Sequence, residues 1–216
     1  MKKIESSLLN MVLSLFLICA VMSAALASVY MFTKDPIANA DKKKINDAIG
    51  LVLPPFDNSP ADESFKIGIT QNIDGNSAAD TLVFYPAYKD GKLVGTAISS
   101  YTFKGYSGYI SVMVGISSDG TIFNTKVMDQ KETPGLGTKM TDTKFHDQFN
   151  GINPEEFKLQ VKKDGGDVDA ITAATISSRA YCDALNRAVN AFKTNMASAP
   201  ASDSASSIQL NEGGIE

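Results

Sequence analysis

The sequence predicts an α+β protein hung from one N-terminal transmembrane helix, with a mainly antiparallel sheet packed against helices. Three observations predict it. Residues 6–33 carry no charge and are mostly apolar. From Thr81 to Met128, short β-rich runs follow one another through tight turns. From Ile176 the apolar side chains recur at Ala180, Ala184, Leu185, Ala188, Val189 and Phe192, which is helical spacing.

The apolar stretch is long enough to cross a hydrocarbon core of ~30 Å as a helix. Ala25-Leu26-Ala27 before Ser28 also resembles a signal-peptide cleavage site. The run continues through Val29-Tyr30-Met31-Phe32, however, which favours a retained anchor. Ile18 before Cys19 is too bulky for a lipobox. Lys2 and Lys3 pull the N-terminus inward, but Lys34 and Lys42-Lys43-Lys44 follow the span. The charge rule alone therefore leans towards a cytoplasmic domain.

Pro36 stands at the start of a second helical pattern, with Ile37, Ala40, Ile45, Ala48 and Ile49 on one side. It reads as a stalk continuing the membrane helix, and Pro54-Pro55 ends it. A polar stretch then supplies loops, Asp74-Gly75-Asn76-Ser77 among them, around a short strand near residues 65–70. Strands are expected at residues 81–85, 93–101, 109–116 and 121–128. Lys89-Asp90-Gly91-Lys92 and Ser118-Asp119-Gly120 serve as turns. Consecutive strands on tight turns imply an antiparallel meander. A short helix at residues 142–149, a strand at 157–161 and the flexible Asp164-Gly165-Gly166 complete the order. The final helix then covers one sheet face. The expected organisation is an anchor (1–33), a stalk and lead-in (34–80), a folded domain (81–193) and a disordered tail (194–216) poor in basic residues.

Composition limits the chemistry. The formal charge is −4, and no basic, aromatic-interleaved surface invites a nucleic acid. One histidine, His146, and two distant cysteines, Cys19 and Cys182, provide no metal, haem or iron–sulfur ligand set. Any redox chemistry must come from an organic cofactor.

The segment Asp169-Ala170-Ile171-Thr172-Ala173-Ala174-Thr175-Ile176-Ser177-Ser178 sits where the final helix begins. Thr175 falls at the helix N-terminus, where unpaired N–H groups and the macrodipole favour a phosphate. The plainer reading is that Thr172, Thr175 and Ser177 compete to be the N-cap. The segment resembles the flavinylation motif Asp-x-x-[Ser/Thr]-Gly-Ala-Thr-x-[Ser/Thr]-Ser. Gln130-Lys131-Glu132-Thr133-Pro134-Gly135-Leu136-Gly137 resembles the Glu-Thr-Pro-Gly-Leu-Gly loop of the same proteins, and Gly105-Tyr106-Ser107-Gly108-Tyr109-Ile110 their Gly-Tyr-x-Gly segment. Together these motifs resemble the FMN-binding domain family, which includes the G subunits of Rnf electron-transport complexes and the NqrC subunits of sodium-pumping quinone reductases. Ala173 stands where that family has glycine; a φ > 0 there would cost alanine roughly 1 kcal/mol.

The resemblance implies FMN esterified through its phosphate to Thr175 by a flavin transferase, in an extracytoplasmic domain on the inner membrane. It also implies Rnf-complex subunits as partners and electron relay between ferredoxin and NAD chemistry coupled to cation transport. An NqrC-like quinone reductase subunit and a flavin-free assembly protein are the rival readings. Thr172, Ala173, Ala174, Ile176, Ser177 and Ser178 would surround the phosphate, with Arg179 one turn on as a further contact or a solvent-facing side chain. Thr133 to Leu136 reads as a type II turn, Pro134 fixing φ and Gly135 supplying φ > 0. Glu132, Thr133, Gly135 and Leu136 could then approach the flavin, with Tyr106 and Tyr109 as candidates to pack on its ring. No catalytic nucleophile–base pair is visible.

Overall fold

The computed structural model describes residues 8–73 and 76–198. One helix, α1 (Leu8–Val52), runs from the apolar stretch into the folded domain without interruption. Its first part is wholly solvent-facing apolar surface, long and apolar enough to cross a membrane. Pro36 lies inside α1 rather than at the start of a separate helix. It removes one backbone donor just beyond the apolar stretch, where Lys34 and Asp35 are already solvated.

Five strands follow: β1 (Phe65–Ile73), β2 (Asn76–Lys89), β3 (Lys92–Gly105), β4 (Gly108–Ser117) and β5 (Ile122–Gln130). They form one sheet in the order β1-β2-β3-β4-β5, each pair antiparallel, as the turn spacing predicts. The strands outrun their apolar patterns. Asn76 and Ser77, expected in a loop, open β2, with Asn76 opposite Ile73. β1, expected in the lead-in, is therefore part of the sheet. After β5 come a 3₁₀ turn (Gly137–Thr141), a short helix α2 (Thr143–His146) and a second 3₁₀ turn (Asp147–Phe149). Helix α3 (Thr175–Ser198) ends the described chain and takes in residues 194–198, which were expected in the disordered tail; the rest of that tail, from 199 onward, lies outside the described residues.

The expected strand at residues 157–161 is instead a loop. Phe157, Leu159 and Val161 alternate like a strand, but only Val161 makes a bridge, to Val168 in the same loop. Other partners take neighbouring backbone groups: the Lys158 N–H donates to Asp167 Oδ2 of the same loop at 2.7 Å, and the Leu159 carbonyl accepts from Asn186 Nδ2 of α3 at 2.7 Å. Alternation builds a strand only where a neighbouring strand is there to pair.

Both sheet faces are covered, so β4 is buried continuously from Ile110 to Ile116. Leu82, Phe84, Ile98, Ile110, Val112 and Val114 face α3 and pack on Tyr181, Leu185 and Ala188. Tyr85, Ala87, Ala97 and Met113 face the other way and pack on Ala48, Ile49, Val52 and Leu53. The stalk's last turns are thus a core element of the domain.

Polar contacts set the position of α3. Ser100 Oγ donates to the Ala184 carbonyl at 2.7 Å, Thr102 Oγ1 to Asp183 Oδ2 at 2.8 Å, and Tyr181 Oη shares a 2.7 Å hydrogen bond with Thr125 Oγ1. His146, also satisfied, lies within hydrogen-bonding reach of the Thr125 carbonyl through Nε2.

Candidate functional site

The meander brings the site's parts to one end of the sheet. The β3–β4 hairpin closes with Gly105 opposite Gly108, and Ile110 stands opposite Gln130 at the end of β5. The residues after Gln130 therefore emerge beside the hairpin tip. The N-terminus of α3 meets both. A cleft of about 520 Å³ lies between the three segments, lined by Tyr106, Glu132, Thr133, Leu136, Gly137 and residues 173–177.

Local chemistry shapes each wall. Thr133 to Leu136 is the expected turn: Gly135 has φ 75° and the Leu136 N–H donates to the Thr133 carbonyl at 3.1 Å. Thr138 Oγ1 accepts the Gly135 N–H at 2.9 Å, a brace that no sequence pattern marks. Ala173 has φ 62°, so the position where the family has glycine does need the left-handed region. The Ala174 N–H donates to the Ile171 carbonyl at 3.0 Å, and the Ser178 N–H to the Ala174 carbonyl at 3.0 Å. Ala174 is thus the N-cap, and Thr175, Ile176 and Ser177 form the first turn, whose N–H groups have no partner four residues back.

The hydroxyls of the motif differ sharply. Ser178 Oγ is buried, donates to the Ala174 carbonyl at 3.0 Å and accepts the Ile171 N–H at 2.9 Å. Ser177 Oγ is buried and donates to Glu132 Oε2 at 2.6 Å. Thr172 is exposed but lines a different cleft with Lys139, Asp142 and Asp169. Thr175 alone of the four is both partly exposed and in the wall of the larger cleft.

The cleft's rim is apolar and open: Tyr106 is 70%, Ile176 48% and Leu136 39% exposed. Glu132 is 4% exposed at its floor. Such a volume and lining, apolar walls with a few convergent polar groups, are those of a small-molecule or cofactor site. An isoalloxazine ring fits the apolar walls, and a phosphate fits the first-turn N–H groups.

Other candidates sit elsewhere. Gly135 shapes the turn without lining the cleft, and Ser178 holds the motif together from beneath. Tyr109 packs on Tyr101 and Phe103, with ring centroids 5.9 and 5.5 Å away, rather than in the cleft wall. Arg179 turns from Thr175 and grips Asp164 in a bidentate pair of 2.6 and 2.7 Å, in a separate cleft. The Arg179 hydrogen bonds hold the Asp164 carboxyl below its usual range. Cys182, inside α3, is buried, and desolvation pushes its thiol up to about 12. Two contributors are not evident as site residues in the sequence. Gly137 ends the Glu-Thr-Pro-Gly-Leu-Gly loop, and that motif was the signal that could have found it. Ser107 acts through its backbone N–H, which donates to Glu132 Oε1 at 2.9 Å and which no side-chain pattern reveals.

A cleft beside a helix N-terminus, on a meander sheet continuous with one helix long and apolar enough to cross a membrane, is the architecture of an FMN-binding domain. Residues 105–190 match the model of that family, described as FMN-binding domain. The G subunit of the ion-translocating oxidoreductase complex from Aliivibrio fischeri strain MJ11 is 35% identical over 192 residues, 86% of this chain and 90% of that one. The protein of the same name from Erwinia tasmaniensis is 34% identical over 182 residues, covering 81% and 84%. The chain belongs to this family of G subunits. Among solved structures, NqrC of Shewanella oneidensis is 24% identical, covering 61% of this chain and 70% of that one with a TM-score of 0.46.

Proposed function

We propose that this protein is the G subunit of an Rnf-type ion-translocating complex and carries FMN on Thr175 through a phosphoester. The observation that carries the attachment site is the contrast among the motif hydroxyls: Thr175 is the one partly exposed in the cleft wall, while Ser177 and Ser178 are buried and hydrogen-bonded. A flavin transferase would join Thr175 Oγ to the FMN phosphorus of FAD. The P–O–P anhydride breaks, AMP leaves, and the hydroxyl proton passes to solvent. Small neighbours, Ala173 and Ala174, leave the hydroxyl approachable.

The residues present divide the work of holding the group. First-turn N–H groups of α3 would meet the phosphate. Tyr106, Leu136 and Ile176 would cover the ring, and Thr133 offers a hydroxyl at its edge. Bound there, FMN would supply one- and two-electron redox chemistry. The relatives' shared name supports a place in an ion-translocating oxidoreductase complex. The relay we propose there runs between ferredoxin and NAD chemistry and is coupled to cation transport. Its partners would be the complex's other subunits. The domain would lie on the extracytoplasmic face of the inner membrane, a reading that rests on the family resemblance; the charge rule points the other way, but long translocated domains often escape it.

Intact mass of the chain co-expressed with a flavin transferase tests the attachment: it should rise by one FMN unit, and fluorescence should survive denaturation. Thr175→Ala should abolish both. A label mapping to Thr172 or Ser177 would overturn the assignment. Protease treatment of spheroplasts should cleave the domain; protection would overturn the orientation.

A further inference from the structure

Glu132 stands where the three segments that build the cleft meet. Its Oε2 accepts the Ser177 hydroxyl at 2.6 Å, and its Oε1 accepts the Ser107 N–H at 2.9 Å. Its own N–H donates to Gln130 Oε1 at 2.7 Å, which sets the direction in which the side chain leaves β5. Two glycines make room for the carboxylate. A Cβ on Gly137 would stand 2.6 Å from Oε2 and 2.6 Å from Ser177 Oγ, and one on Gly105 would stand 2.7 Å from Oε1. A buried carboxylate is costly unless hydrogen-bonded, and both oxygens here are committed to the protein itself.

The consequence concerns Ser177. It shares the first turn of α3 with Thr175, two residues away, and is a rival hydroxyl for the same phosphoryl group. It lines the same cleft, but it is only 2% exposed and its hydroxyl donates to Glu132. The same carboxylate holds the hairpin tip that carries Tyr106, through the neighbouring Ser107 N–H.

We propose that Glu132 is the positioning residue of the flavin-attachment site: by holding the Ser177 hydroxyl inward and the hairpin tip in place, it confines flavin transfer to Thr175. The proposal rests on the reading that Thr175 is the acceptor. Glu132 needs no contact with the flavin to act in this way.

The test is peptide mapping of flavin on the full-length chain co-expressed with a flavin transferase. The wild type should be labelled on Thr175 alone; its failure to label there would sink the attachment reading itself, separately from this proposal. Glu132→Gln should load Thr175 to the wild-type extent, because its carbonyl can accept the Ser107 N–H and its amide can donate to Ser177 Oγ. Glu132→Ala should load Thr175 several-fold less and place part of the label on Ser177, and adding Ser177→Ala should remove that second label. Thr175-only labelling at wild-type extent in Glu132→Ala would overturn the proposal. So would a Gln variant as impaired as the Ala variant. Should Glu132→Ala fail to fold, as judged by circular dichroism of the unloaded chain, Glu132→Asp decides. A shorter carboxylate cannot span both Ser107 and Ser177, so lowered Thr175 loading or a Ser177 label is expected. Wild-type labelling there overturns the clamp.

Discussion

The carbonyl oxygen of Val52 lies over Gly115 so closely that a Cβ on that glycine would stand 1.7 Å from it. The last turn of α1 is therefore seated directly on the backbone of β4. Gly95 repeats the arrangement on β3, where a Cβ would come within 3.0 Å of Leu53 Cδ2. Asn124 adds a 3.0 Å hydrogen bond from Nδ2 to the Leu51 carbonyl. The helix that carries the apolar stretch is thus the helix that fills one sheet face. At 1.5 Å per residue, the run from Thr33 to Ile49 would carry the domain about 24 Å beyond the apolar stretch.

Gly115→Ala should push α1 off the sheet, at a cost on the order of 1–3 kcal/mol for overpacking. Gly50→Ala is the control, since a Cβ there meets nothing within 4 Å. As a helix-interior glycine, it should gain about 0.5–1 kcal/mol instead. Thermal unfolding of the detergent-solubilised chain should move in opposite directions for the two. A Gly115→Ala protein as stable as wild type would mean that the seat on β4 is not a tight one.

Ala173 should be improvable. Its φ of 62° lies in the region where an L side chain costs roughly 1–2 kcal/mol, whereas glycine enters it freely. Offset by glycine's larger unfolded-state entropy, Ala173→Gly should gain up to about 1 kcal/mol. Chemical denaturation should show a higher midpoint with an unchanged slope. Flavin loading should not fall, because the backbone conformation stays the same. A lower midpoint would show that the loop around Ala173 carries no strain to relieve.

Where the pattern was local, the sequence was legible. Asp90-Gly91 and Asp119-Gly120 marked turns that the strands do use, and the apolar repeat from Ile176 marked α3. Pro134-Gly135 marked a turn whose φ is as expected. What stayed hidden was non-local. Residues 157–161 read as a strand because alternation says nothing about whether a neighbour is present. Arg179 lies one turn from Thr175, but its direction is decided by Asp164, fifteen positions back in an irregular loop. The Glu132–Ser177 bond spans 45 positions, and only the meander's register brings its ends together. Motif reading thus located the cleft's walls but not the clamp that joins them.

The Glu132-to-Gly137 loop offers a comparison of two turn positions. Gly135→Val puts a β-branched residue at φ 75°, where the space is open but the backbone is not, at a cost of order 1–3 kcal/mol. Thr133→Ala keeps the carbonyl that closes the turn and removes only a hydroxyl, worth roughly 1 kcal/mol if it bonds the flavin. Both should still load flavin. A redox titration of the loaded protein should shift more for Gly135→Val than for Thr133→Ala. Wild-type titrations for both would reduce the loop to a turn without influence on the cofactor.

Acid should weaken the lock between α3 and β2. Asp80 pairs with Arg187 and accepts hydrogen bonds from the Tyr101 hydroxyl and, at 2.7 Å, from the Thr81 N–H. Arg187 also lies 4.5 Å from the centre of the Tyr101 ring. Burial alone would raise the Asp80 pKa, but the Tyr101 and Thr81 hydrogen bonds together with Arg187 bring it below the usual value. A carboxyl whose pKa is lower folded than unfolded contributes stability above the unfolded value, near 3.9, and loses it as pH falls through the folded value. Asp80→Asn should therefore cost stability at neutral pH, on the order of 1–3 kcal/mol, because Arg187 loses a charged partner in a half-buried site. The gap between variant and wild type should be constant from pH 7 to about 5 and close as pH drops below about 4. Unfolding midpoints measured across that range decide the matter: a gap that persists unchanged at low pH would show that the Asp80 charge is not what ties α3 to the sheet.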